Sequence, residues 1–112
     1  MRRGTMLAAA IAVMVALFAG AAYAAVVTIQ GTPDKDVLFE TPGDDEINGR
    51  DGSDEIHAEE YSYDVDVLRG HSDRDLLNAQ DQDYNDTLNG GANRDTCIGD
   101  KGDTFEDCEI IK

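Results

Sequence analysis

Seven aspartates recur along the chain at nearly even intervals of 9, 9, 12, 9, 11 and 9 residues. We refer to them as the framing aspartates: Asp36, Asp45, Asp54, Asp66, Asp75, Asp86 and Asp95. Two residues after each comes an apolar or nearly apolar side chain: Leu38, Ile47, Ile56, Leu68, Leu77, Leu88 and Cys97. A repeat of about nine residues is too short to bury a core alone, so its copies must stack on one another.

The residues around each framing aspartate indicate how one copy folds. With the framing aspartate at position 6 of nine, position 4 carries residue types that tolerate a left-handed backbone: Asp34, Gly43, Gly52, Asp64, Asp73 and Asn93. Position 1 is glycine in four copies: Gly31, Gly49, Gly70 and Gly90. We therefore predict a tight loop that ends at position 6, followed by a very short strand with one inward side chain.

Two such copies make one coil of 18 residues, so loops two copies apart stack on the same side of the molecule. One side is predicted to hold Asp36, Asp54, Asp75 and Asp95, and the other Asp45, Asp66 and Asp86. The Leu, Ile and Cys side chains form a thin core between the two sides. Because stacked carboxylates repel one another, we predict that a cation lies between the copies.

The N-terminal segment has the features of a signal peptide. Arg2 and Arg3 are basic, residues 6–18 are uninterruptedly apolar, and Ala22-Tyr23-Ala24 has the small-x-small pattern of a cleavage site. We predict that residues 1–24 are a cleaved signal peptide and that residues 25–112 form one exported domain. An uncleaved membrane anchor is the alternative.

The predicted domain is strongly acidic. Without the two N-terminal arginines it carries 7 Lys and Arg against 24 Asp and Glu, a formal charge of −17. Such a charge opposes compaction, and with few aromatic residues it would by itself favour disorder. It also excludes nucleic acid as a partner, because phosphates would be repelled. A bound divalent cation would offset the charge.

Cys97 and Cys108 are the only cysteines. An even number in an exported chain favours a disulfide, with two free thiols as the alternative. The bridge would cap the C-terminal end of the domain. Closing this short loop would contribute on the order of 3 kcal/mol in the chain-entropy description.

The clearest copies are Gly49-Arg-Asp-Gly-Ser-Asp-Glu-Ile-His57 and Gly90-Gly-Ala-Asn-Arg-Asp-Thr-Cys-Ile98. From Gly31 to about Cys108 the chain resembles the hemolysin-type (RTX) calcium-binding nonapeptide repeat proteins. This resemblance implies an all-β fold, a parallel β-roll (right-handed β-solenoid) of about 3–4 coils. It also implies Ca²⁺ between stacked loops, held by loop carbonyls and by the framing aspartates Asp36, Asp45, Asp54, Asp66, Asp75, Asp86 and Asp95.

Some copies depart from the nonapeptide. About three extra residues precede Asp66, about two precede Asp86, and the copy that ends at Asp103 is one residue short. We therefore expect the calcium sites at Asp86 and Asp103 to be the least regular. The aromatic residues Tyr61, Tyr63 and Tyr84 fall in the irregular segments, where we expect them to pack over the loops, with a contact surface as the alternative.

Other site types fit less well. The sequence has no cluster of His or Cys residues that would bind zinc, and we expect His57 and His71 to face solvent. Residues 44–55 nearly match an EF-hand loop but lack helical flanks and have Asp51 at the usual apolar position. Paired carboxylates could serve a small hydrolase, yet a thin solenoid offers little concave volume for catalysis.

The sequence therefore predicts a secreted, monomeric, non-catalytic calcium-binding protein whose folding is stabilised by the ion. The alternative is a structural or adhesion module of the cell envelope, in which calcium has only a structural role. Its partner would be an envelope polysaccharide or protein, contacted by Tyr61 or Tyr63.

Overall fold

The computed structural model describes residues 26–112, which form ten short β-strands and no helix. The strands are β1 (Val27–Gln30), β2 (Val37–Phe39), β3 (Asp45–Asn48), β4 (Glu55–His57), β5 (Val67–Arg69), β6 (Leu76–Asn78), β7 (Thr87–Asn89), β8 (Thr96–Ile98), β9 (Thr104–Glu106) and β10 (Ile110–Ile111). The predicted signal peptide, residues 1–24, lies outside the described residues. Within residues 26–112, no helix has the length and apolar character needed to cross a membrane.

The strands form two parallel sheets. One contains the odd-numbered strands in the order β1-β3-β5-β7-β9, and the other contains the even-numbered strands in the order β10-β8-β6-β4-β2. The chain crosses from one sheet to the other after every strand, so it winds as a β-solenoid of about four turns. This confirms the all-β parallel β-roll.

The extra residues of the irregular copies are absorbed by loops. Paired residues are 18 apart in the first coil (Val37 with Glu55), 21 apart in the next (Glu55 with Leu76), and 20 apart in the third (Leu76 with Thr96). A slip of one residue would turn every inward side chain outward, so the buried face keeps the strands in register. The long loops are 58–65 and 79–85.

One side chain per strand points into the space between the sheets. The three-residue strands β4 to β8 each have a buried central residue between two partly exposed ones. All seven predicted inward side chains are at most 1% exposed: Leu38, Ile47, Ile56, Leu68, Leu77, Leu88 and Cys97. Ile29 of β1 and the loop residues Ala58 and Ala79 complete this buried core.

The C-terminal end of the core is closed by a disulfide between Cys97 and Cys108, whose Cα atoms are 5.9 Å apart. Cys97 is the central residue of β8, and Cys108 follows β9 and packs against the core. The bridge thus joins the last buried position of one sheet to the final turn of the chain. This confirms the predicted disulfide between Cys97 and Cys108.

Candidate metal centre

The loops form two stacks on opposite sides of the solenoid. The glycine side comprises loops 31–36, 49–54, 70–75 and 90–95, and the acidic side comprises loops 40–45, 58–66, 79–86 and 99–103. The framing aspartates divide between the two sides as predicted, and each is at most 2% exposed. On the glycine side each loop begins with glycine, whereas the loops of the acidic side begin with Glu40, Ala58, Ala79 and Gly99.

A ladder of hydrogen bonds joins the framing aspartates along each stack. The backbone N–H of Asp54, for example, donates to Oδ1 of Asp75, one coil later, at 2.8 Å. Asp103 and Glu109 end the two ladders, accepting from Asp86 and Asp95. The ladders run Asp36-Asp54-Asp75-Asp95-Glu109 on the glycine side and Asp45-Asp66-Asp86-Asp103 on the acidic side, with N···O distances of 2.7–3.1 Å.

The ladder uses only one oxygen of each carboxylate. In five framing aspartates the second oxygen, Oδ2, is buried and has no hydrogen-bond partner: Asp54, Asp66, Asp75, Asp86 and Asp95. A buried carboxylate oxygen without a partner is costly, because its hydration is lost without replacement. These orphaned oxygens recur from coil to coil, so a cation lying between the loops could satisfy them.

The first coil differs from the others. Both oxygens of Asp36 accept hydrogen bonds from Thr32, and both oxygens of Asp45 accept from Thr41. These threonines satisfy the carboxylates at the N-terminal end of each ladder. The metal-binding role of Asp36 and Asp45 therefore stays a prediction, although Asp45 also lies beside Glu40 and Asp66.

The position-1 glycines leave room for the folded-back aspartates. A Cβ atom at Gly49 would lie 2.5 Å from Oδ2 of Asp54, and one at Gly90 would lie 2.7 Å from Oδ2 of Asp95. At Gly70 the Cβ atom would clash even more closely with Oδ2 of Asp75. On the glycine side, glycine is thus required where the orphaned oxygen turns back over its own loop.

We expect Gly70→Ala to lower the free energy of unfolding by on the order of 1–3 kcal/mol, because the added methyl overpacks the loop against the Asp75 carboxylate. Urea unfolding in the presence of Ca²⁺ measures this change. Gly43→Ala is a contrasting variant, because its Cβ atom would meet nothing within 4 Å and only its φ of +94°, which Gly70 does not share, disfavours alanine. An unchanged free energy of unfolding in Gly70→Ala would show that space beside the carboxylate is unimportant.

The predicted left-handed bend at position 4 is confirmed in four copies. Gly43 and Gly52 have φ of 94°, Asp73 has 71° and Asn93 has 75°. The prediction is wrong for Asp34 and Asp64, which are absent from the positive-φ residues of the described chain. In the longer loop before Asp66 the bend moves back one residue, to Tyr63, with φ of 68°.

The acidic side gathers more carboxylates than the sequence predicted. Among residues 26–112, four groups of three acidic residues place ligand oxygens within 4.8 Å of one another, and all four lie on this side. The groups are Glu40-Asp45-Asp66, Asp64-Asp81-Asp83, Asp66-Asp81-Asp86 and Asp83-Asp86-Asp103. Sequence reasoning missed Glu40, Asp64, Asp81 and Asp83 as site residues. The available signal was that both insertions carry acids and precede framing aspartates of the same side.

Comparison with known families agrees with this geometry. The family model described as RTX calcium-binding nonapeptide repeat (4 copies) matches residues 30–60 and 79–105. The chain belongs to this family. Neither the curated proteins nor the solved structures contain a match to it. In this RTX chain, the stretch between the two matched segments still forms β5 and β6 in register with its neighbours.

The donor set of the RTX chain fits a hard cation such as Ca²⁺, which takes six to eight oxygen ligands from carboxylates and carbonyls. The orphaned Oδ2 atoms supply carboxylate oxygens, and the loops supply carbonyls. Cys97 and Cys108 are oxidised, and neither histidine belongs to an acidic group of the described residues. His71 is exposed as predicted, whereas His57 is half-buried and stacks on Phe39, with ring centroids 5.3 Å apart.

Burial changes the protonation of the RTX carboxylates. Burial, reinforced by neighbouring carboxylates, raises the pKa of Asp54 to about 7, of Asp75 and Asp86 to about 8, and of Asp66 to about 9. Burial likewise raises the pKa of Asp95 to about 6. Without a cation, these groups therefore bind protons near neutral pH, so protons and metal compete for the same oxygens.

The tyrosines of the irregular loops do not all pack as expected. Tyr63 is 94% exposed and Tyr84 is 64% exposed. The packing interpretation is therefore wrong for Tyr63. Its backbone, rather than its ring, supports the loop, because its N–H donates to Oδ2 of Asp83 at 3.0 Å.

Proposed function

We propose that this chain is a secreted, monomeric, non-catalytic calcium-binding protein whose β-roll is stabilised by Ca²⁺ held between stacked loops. The observation that carries the proposal is the buried Oδ2 atom without a hydrogen-bond partner that recurs in five framing aspartates: Asp54, Asp66, Asp75, Asp86 and Asp95. Membership of the RTX family supports calcium as the ion.

The mechanism we propose is linkage between binding and folding. The oxygens of a site come from loops of different coils, so they converge only in the folded chain. An ion that binds the folded state alone adds its binding free energy to the stability of that state. With a charge of −17 on residues 25–112, the ion also relieves the repulsion that opposes compaction.

Export and lack of catalysis complete the proposal. The predicted signal peptide and the disulfide support an oxidising, extracytoplasmic location, where weak modular sites with Kd of about 10⁻⁴–10⁻³ M suit the calcium concentration. Each three-residue strand from β4 to β8 sends one side chain inward, so the narrow space between the sheets is filled by core side chains and leaves no room there for a substrate. The exposed Tyr63 and Tyr84 favour a second candidate, an adhesion module of the cell envelope.

Calorimetric titration of the purified chain with Ca²⁺, followed in parallel by circular dichroism, tests the proposal. We expect several ions to bind per chain and β structure to form from coil as they bind. Mg²⁺ at the same concentration is the control ion, since it favours a rigid octahedral site and keeps its waters. A chain that binds no Ca²⁺, or that has the same spectrum with calcium and with chelator at pH 9, would refute the proposal.

A further inference from the structure

The two long loops of the acidic side bring together three aspartates that are not framing aspartates. Asp64 belongs to loop 58–65, whereas Asp81 and Asp83 belong to loop 79–85 of the next coil on that side. Ligand oxygens of the three residues lie within 4.8 Å of one another. All three are buried, with exposures of 5%, 7% and 4% respectively.

Asp64 provides an independent indication of a ligand. It is 95% buried, and neither of its carboxylate oxygens has a hydrogen-bond partner. Oδ2 of Asp81 is likewise buried without a partner. No ion pair among residues 26–112 involves any of the three aspartates. The fold therefore buries two unsatisfied carboxylates against a third with no protein cation to offset their charge.

The rest of the group is held in place by the backbone. Oδ1 of Asp81 accepts the N–H of Asp83 at 3.2 Å, and Oδ2 of Asp83 accepts the N–H of Tyr63 at 3.0 Å. The second of these bonds joins one long loop to the other. Asp83 is thus positioned across the gap from Asp64, while Asp64 and Asp81 keep oxygens free for a ligand.

We propose that Asp64, Asp81 and Asp83 form an additional calcium site, built by the insertions and adjoining the framing groups that share Asp81 and Asp83, with Asp64 as the ligand that belongs to this site alone. In these copies Asp81 and Asp83 stand at positions 1 and 3 and Asp64 at position 4, and all three carboxylates are buried, whereas Asp34, Asp51 and Asp73 at positions 3 and 4 of the glycine side are exposed. More ligand charge raises calcium affinity in loop sites. The additional site therefore fills first and joins the two long loops.

The tyrosines allow this site to be observed separately. The three tyrosines of residues 26–112 are Tyr61, Tyr63 and Tyr84, and two of them are the immediate sequence neighbours of Asp64 and Asp83. Tb³⁺ replaces Ca²⁺ at oxygen sites and emits when a nearby tyrosine is excited. Sensitised emission will therefore report mainly on the long loops rather than on the glycine side.

The test compares Tb³⁺ emission and Ca²⁺ calorimetry in the purified chain, in Asp64→Asn/Asp81→Asn/Asp83→Asn and in the control Asp34→Asn/Asp51→Asn/Asp73→Asn. The control removes the same charge from exposed positions 3 and 4 of the glycine side. We expect the first variant to lose the sensitised Tb³⁺ emission and the tightest Ca²⁺-binding step seen by calorimetry. The control should keep both. Emission and stoichiometry that survive in the first variant, or that fall equally in both, would overturn the proposal.

A single substitution covers the case in which the triple variant does not fold. Asp64 makes no side-chain hydrogen bond, so Asp64→Asn removes a charge and leaves every observed contact in place. We expect this substitution to lower the affinity for the most tightly bound Ca²⁺ by about tenfold or more. An unchanged affinity would contradict the site. The weaker Ca²⁺ ions should persist in this variant, which separates failure of this site from failure of the framing sites.

Discussion

In excess chelator, the β-roll should be most stable in acid and should lose its β structure as the pH rises through about 6 to 9. This order is the reverse of ordinary acid denaturation. Its cause is the burial that raises the pKa of Asp95 to about 6, of Asp75 to about 8 and of Asp66 to about 9, from a usual value of 3.8.

The direction follows from proton linkage. Between pH 3.8 and the raised pKa values, the folded chain holds protons that the unfolded chain has released, so stability falls as the pH rises. The stabilisation is complete below about pH 3.8 and is lost as the pH passes through the folded-state values. At about 1.4 kcal/mol per pKa unit, each such aspartate can oppose folding at pH 8 by on the order of a few kcal/mol.

Circular dichroism of the chelated chain from pH 4 to pH 9 measures this effect. In millimolar Ca²⁺ the same scan should stay flat above neutral pH, because bound ions replace the protons. A chelated chain that is folded at pH 9 and unfolds on acidification would show that the buried carboxylates are not protonated in the ion-free fold.

Asp75→Asn should change stability in opposite directions with and without calcium. The amide oxygen of asparagine can still accept the N–H of Asp54, which Oδ1 of Asp75 accepts at 2.8 Å. In chelator at pH 8 the variant gains stability, because a buried charge is removed. In Ca²⁺ it loses stability, because the orphaned Oδ2 is replaced by an NH₂ group that cannot bind a cation. We expect each change to be on the order of 1–3 kcal/mol.

Urea unfolding in Ca²⁺ measures the loss of stability, and the pH at which the chelated chains lose their β structure, followed by circular dichroism, measures the gain. Asp51→Asn is the matched control, because Asp51 is exposed and its carboxylate accepts only the hydroxyl of Ser72, at 2.6 Å. The stability of the control variant should differ little from that of the unsubstituted chain, with Ca²⁺ or with chelator. Loss of stability in both conditions by Asp75→Asn would mean that the carboxylate acts only as a structural hydrogen-bond acceptor.

The regular part of the fold could be predicted from the sequence, because two residues in each copy fix its orientation. Ile56 must point inward if Asp54 ends the preceding loop, and the next copy must then face the opposite side. The two-residue spacing within each copy was therefore enough to predict the buried Leu, Ile and Cys side chains and the two stacks of framing aspartates. No knowledge of long-range contacts was needed.

The acidic groups could not be predicted, since an insertion has no period that fixes where its side chains point. Asp64, Asp81 and Asp83 appeared in the sequence only as departures from the repeat. Their meeting depends on both insertions extending from the same side at successive coils, so that two long loops lie one above the other. The expectation that Asp86 and Asp103 form the least regular sites stays a prediction, although they share a group with Asp83.

The hydrogen-bond ladder makes the two ends of the solenoid unequal. Every framing N–H donates forward along the chain, to a carboxylate supplied by the following coil. Within the ladder, deleting the first coil removes no acceptor, whereas deleting the last leaves the N–H groups of Asp86 and Asp95 without their carboxylate partners, which is costly. The C-terminal end of the solenoid therefore cannot be trimmed without this loss, because Asp103 and Glu109 supply the last acceptors and the Cys97–Cys108 bridge ties the final turn to β8.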